Sequence, residues 1–136
     1  MRDLPYALTT LAFQASNGEL AWRRADIASA VIAMRDSQKA ILAGEIWLVG
    51  VDGTWTGLIP DRSGGPSGIH GWVSEPRMES ESWKEYCDRT LEVSLHALHE
   101  INVEQETLPE LAGLIWFNVS YIGEYESPYS QDQADH

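Results

Sequence analysis

The sequence predicts an α+β fold: a two-layer domain in which two helices pack on one face of an antiparallel or mixed sheet of about five strands. Three observations predict it. Two segments place apolar residues at helical spacing, several shorter runs are rich in β-branched and aromatic residues, and Asn-Gly and Asp-Gly dipeptides of the hairpin-closing kind lie between such runs. At 136 residues the chain is long enough to bury one core without crosslinks. No repeat or second boundary is visible, so residues 1–126 are expected to form a single domain, with 127–136 a disordered acidic tail.

Residues 6–15 alternate loosely, Leu8, Thr10 and Ala12 against Thr9, Leu11 and Phe13, and a first strand is predicted there. Ser16-Asn17-Gly18-Glu19 admits two readings. Asn-Gly suits a tight turn that folds Leu20-Ala21-Trp22 back as a short strand, whereas Ser16 with Glu19 matches a helix capping box. From Arg24 the spacing of Ile27, Ala30, Val31 and Met34 predicts a helix, with Asp26 in its first turn where a carboxylate complements the dipole. It ends near Asp36-Ser37-Gln38 or runs on to Leu42. Residues 40–49 read as a strand interrupted at Gly44, apolar on both faces and therefore central. Asp52-Gly53 predicts a hairpin into a strand over Trp55–Pro60. Residues 61–68 are a flexible loop by composition, 69–73 a short strand carrying Trp72, and 74–81 an acidic loop.

The second helix is the best-marked element. Ser82 and Glu85 form a capping box, and Trp83, Cys87, Leu91, Leu95, Leu98 and Ile101 form its apolar face. Glu85 with Arg89 and Lys84 with Asp88 are spaced to pair on its solvent face. Residues 114–122 form the last strand, with Ile115, Phe117, Val119 and Tyr121 on one face and Trp116, Asn118, Ser120 and Ile122 on the other. If the helices cover one face, Trp116, Asn118, Ser120 and one side of 45–51 are left on the opposite face. That face is either a docking surface or a place where Trp47 and Trp116 pack on each other or on a loop.

With 21 Asp and Glu against 9 Lys and Arg, the formal net charge is −12. Such a chain lacks the basic surface that phosphate contacts need, so nucleic acid and anionic membranes are not expected partners. A cationic protein is, because opposite fields speed encounter; the same acidity would also serve solubility alone. The lone Cys87 allows no internal disulfide and suits a reducing compartment. The N-terminus lacks a signal-peptide h-region and no run is long enough to span a bilayer, which makes the cytoplasm the expected location.

No motif supplies convincing catalytic or cofactor chemistry. Cys87 falls within an apolar stripe, where desolvation makes a thiol inert. His96 and His99, three apart on a helix near Glu92 and Glu100, lack a third metal ligand. His70 has no visible partner. Gly64 to Gly68 lacks the Lys-Ser/Thr ending of a phosphate loop. Asn118-Val119-Ser120 matches a glycosylation sequon but lies inside a predicted strand. No cofactor and no metal are therefore expected.

The order of the first helix, the segment Ala40 to Trp47, the helix opening Glu81-Ser82-Trp83-Lys84-Glu85-Tyr86 and the terminal strand around Trp116-Phe117-Asn118-Val119 resembles the immunity protein 40 family, bacterial proteins that neutralise polymorphic toxins. The likeness spans roughly residues 20–122. The family pattern has Gly-Gly where this chain has Ala43-Gly44, and it lacks the glycine-rich loop. The resemblance implies an α+β fold, no enzymatic activity and a toxin domain as partner. The expected partner-binding residues are Glu75, Glu79, Glu81, Glu85, Asp88 and Glu92, with Trp72 and Trp116 as aromatic anchors, in a monomer or homodimer. The competing readings are a small metal- or ligand-binding enzyme domain using His96 and His99, and a homo-oligomerising domain.

Overall fold

In a computed structural model that describes residues 4–126, the chain runs α1 (Tyr6–Thr9), β1 (Phe13–Gln14), β2 (Leu20–Trp22), α2 (Arg24–Asp36), β3 (Ala40–Val49), β4 (Trp55–Thr56), β5 (Trp72–Val73), α3 (Trp83–Glu100), α4 (Val103–Glu106), a 3-10 helix over Pro109–Leu114, and β6 (Ile115–Ile122). The tail expected over 127–136 lies outside the described residues. The fold is α+β, with an antiparallel sheet in the order β1-β2-β6-β3-β4 and β5 also paired to β3. Its centre is β3 beside β6, in register from Ala40↔Ile122 to Leu48↔Ile115.

The helical face forms as the apolar spacings require. Ile27, Val31 and Met34 of α2 and Leu91 and Leu98 of α3 pack on Ile41, Ile46, Ile115, Phe117 and Val119 of the sheet. Two hydroxyls of α3 fasten helix to sheet: Thr90 Oγ1 accepts the Ile41 N–H at 3.0 Å, and Ser94 Oγ accepts the Trp72 indole N–H at 3.0 Å. Both satisfy donors that would otherwise be buried and unpaired. The capping box of α3 is complete, with Ser82 Oγ accepting from Glu85 N at 3.1 Å and Glu85 Oε1 accepting from Ser82 N at 2.8 Å. Among the described residues, no helix is long and apolar enough to cross a membrane.

The structure corrects the predicted first strand. Residues 6–9 are helical, and the Thr9 and Thr10 hydroxyls donate back to Tyr6 O and Ala7 O; only Phe13–Gln14 is strand. A four-residue helix is too short to show a periodicity distinct from alternation. The turn reading of 16–19 prevails: Ala15 N donates to Glu19 O at 2.8 Å, and Gly18 sits at φ 90°. Helix α2 stops at Asp36 because Gln38 enters the left-handed region at φ 61°. Lys39 N then returns to Met34 O and Gln38 N to Arg35 O, a Schellman closure made without glycine.

β3 is not interrupted at Gly44; its irregularity falls between Ile41 and Ala43. The strands expected over 55–60 and 69–73 shrink to two residues each. Beyond Thr56, Ile59 turns into the core, and Pro60 forms an isolated antiparallel bridge with Pro66 while its O accepts the Thr107 hydroxyl. The loop after Pro60 is closed by Asp61, whose carboxylate accepts from Ser63 Oγ, Ser63 N and Gly65 N.

Candidate functional site

On the sheet face away from α2 and α3, aromatic side chains do the covering. Trp47 has no exposed surface. The Trp55 ring stacks on it at 3.9 Å and 17°, while Phe13 stands edge-on to Trp47 at 6.3 Å and lies 6.0 Å from Trp116. The Arg23 guanidinium sits 4.6 Å over the half-buried Trp116 ring. Of the two readings of this face, packing holds for Trp47. The buried Asn118 donates to Leu20 O at 2.8 Å, which removes it as a glycan acceptor.

Beside this cluster lies a groove of about 620 Å³ whose polar lining is Glu19, Glu45, His70, Asn118 and Ser120, with Trp55 as an aromatic wall. Its origin is the topology of one sheet edge. β4 pairs Leu48 and Val49 of β3, β5 pairs Ala43 and Gly44, and neither covers the stretch between. Two glycines let the chain close over β3 at the β5 end. A Cβ at Gly71 would lie 1.7 Å from Gly44 O, and a Cβ at Gly44 would lie 2.2 Å from the Trp72 ring. That close approach brings His70 and Val73 to the rim.

Both groove carboxylates are oriented from within. Asn17 Nδ2 donates to Glu19 Oε2 at 2.6 Å, and Trp47 Nε1 donates to Glu45 Oε1. Each retains a second oxygen without a hydrogen bond among the described residues. The groove lining contains no Lys or Arg.

The acidic residues singled out in the sequence divide into two groups. Glu75, Glu79 and Glu92 are exposed and make no ion pair among the described residues. Glu81 is held bidentately by Arg89, at 2.6 and 2.9 Å, and also accepts from Met78 N. The Arg89 guanidinium beside it, then that backbone N–H, draw its carboxyl down to about 2. Asp88 is taken by Lys84 at 2.7 Å and Arg35 at 3.2 Å, which lower its pKa. The Lys84–Asp88 pair forms as spaced, but the Glu85–Arg89 pair does not, because Glu85 caps the helix and Arg89 turns to Glu81. Trp72, expected as an anchor, is buried with its indole N–H donated to Ser94, and it lines the groove.

Cys87 is buried against Ala40, Trp83, Tyr86 and Ile122. Burial, with Asp88 and Glu124 adding negative charge, pushes its thiol up to about 11. His96 and His99 are exposed, with His96 Nε2 4.0 Å from Glu100. Among the described residues no three His, Cys, Asp or Glu side chains gather as metal ligands.

Sequence reasoning placed Asn118, Ser120 and one side of 45–51 on this face but missed Glu19, Trp55 and His70 as neighbours. These three come from separate segments, which the pairing of β2 with β6 and of β4 and β5 with β3 brings together. No protein-family model matches the chain, and comparisons with curated proteins and with solved structures likewise find no match.

Proposed function

We propose that this chain is a non-enzymatic binding protein, an immunity-type inhibitor that neutralises a bacterial toxin domain by direct contact, and that the toxin surface it meets is cationic. One observation carries the reading. Every described Lys and Arg is already engaged inside the molecule: Arg24 with Glu104, Arg35 with Asp36 and Asp88, Lys39 with Glu126, Arg77 with Glu124, Lys84 with Asp88 and Arg89 with Glu81, while Arg23 and Arg62 donate to Gly113 O and Gln105 O. The exposed carboxylates of Glu75, Glu79 and Glu92 have no such partner among the described residues, and with a formal net charge of −12 the field a second protein meets is negative. The likeness to the immunity protein 40 family supports the toxin as that partner, and the cytoplasm, where Cys87 stays reduced, as the place of action.

The test is association kinetics with basic bacterial toxin domains, such as nucleases, beginning with any encoded beside this gene. The on-rate should fall steeply as salt rises, and Glu75→Lys, Glu79→Lys and Glu92→Lys together should slow it by about tenfold or more at low salt. The side chains of these three make no hydrogen bond or ion pair among the described residues, and the one internal bond at Glu75, from Arg89 to its backbone carbonyl, does not depend on the side chain, so the fold should survive the change. Association indifferent both to salt and to the triple variant would refute the cationic-surface reading.

A further inference from the structure

We infer that the groove on the outer sheet face is a receptor for an arginine side chain presented by a protein partner. The inference rests on the binding reading above for the existence of that partner, and goes beyond it in naming the site and the group recognised.

Shape, charge and aromatic chemistry agree. A groove of about 620 Å³ is ample for a guanidinium and its stem. Its two carboxylates, Glu19 and Glu45, are each fixed by an internal donor and each keep one oxygen free, so little ordering remains to be done on binding. Among the described residues none supplies the countercharge, because no Lys or Arg lines the groove and each described cation is engaged elsewhere. Trp55 has one ring face against Trp47 and also lines the groove.

A planar, weakly hydrated cation gains from an indole surface and from carboxylates together. Arginine fits both better than lysine, whose compact ammonium holds its water more strongly. Asn118 and Ser120 supply polar groups on the β6 side, and Val73, 79% exposed at the rim, offers apolar contact to a residue flanking the arginine.

The experiment uses the full chain labelled with ¹⁵N, the indole N–H signals of Trp47 and Trp55 as reporters, and N-acetyl-arginine amide as the probe. N-acetyl-citrulline amide serves as the uncharged match. Arginine should shift both signals saturably, and citrulline should bind at least about tenfold more weakly, the scale of a lost charged hydrogen bond. Glu19→Gln with Glu45→Gln should lose about tenfold or more of the arginine affinity, while Glu92→Gln, outside the groove, should not change it. Gln preserves an acceptor for Asn17 and for Trp47, and an unchanged amide spectrum elsewhere checks the fold. Equal binding of citrulline and arginine, or wild-type affinity in the double variant, overturns the inference. A double variant that loses arginine yet holds a toxin domain with unaltered affinity also overturns it, and leaves the inhibitor reading standing. Arginine bound as expected with no toxin domain recognised sinks only the inhibitor reading.

Discussion

Two close contacts set what single residues can tolerate. Gly44 lies under the Trp72 ring, and that ring cannot swing aside freely because its N–H is held by Ser94. Gly44→Ala should therefore act as overpacking and cost about 1–3 kcal/mol, read as a lower urea midpoint with unchanged slope. Glu81 makes a different prediction, about pH. Its folded carboxyl titrates near 2 against an ordinary 4.5, so the unfolded chain binds the proton first as pH falls. The stability it contributes is complete above about 4.5 and is lost as pH falls towards about 2. In Glu81→Gln the acid loss of stability over that window should be shallower than in wild type, measured by denaturant unfolding at successive pH values.

At the scale of elements, α3 organises the molecule. Its cap is local, but its side chains reach β3 through Thr90, β5 through Ser94 and the acidic loop through Arg89, which donates to Glu75 O, Pro76 O and Glu81. The far end is tied to α2 by Arg24, which binds Glu104 and the carbonyls of Leu98 and Ile101. Because the cap is one link among several, Ser82→Ala should cost only about 1 kcal/mol and leave the fold intact, checked by thermal melting. A much larger loss would mean that the loop 74–81 depends on the cap for its own placement.

For the whole molecule, long-range repulsion and short ion pairs pull in opposite directions as salt is added. The pairs Arg89–Glu81 and Arg24–Glu104 are partly buried and resist screening. The net charge of −12 acts over longer distances, which salt shortens from about 30 Å at 0.01 M to about 8 Å at 0.15 M. The repulsion is therefore the larger loss, and the melting temperature should rise with sodium chloride. A fall would assign more of the stability to the ion pairs than their exposure suggests.

What the sequence determined by itself was whatever a short window encodes. The capping box of α3, the apolar stripes of α2 and α3, the centrality of β3, the strand at β6, the Asp52-Gly53 turn and the burial of Cys87 all follow from patterns among neighbours in the chain. Tertiary structure alone decided the rest. Gln38 takes the left-handed place that glycine usually marks, Arg89 chooses Glu81 over Glu85, and β4 and β5 leave an opening along one edge of β3. The groove follows from that opening, because its carboxylates, indole and imidazole come from segments that meet only when the sheet closes. Spacing along a chain records periodic structure; the convergence of distant side chains is a property of packing, and no window of sequence contains it.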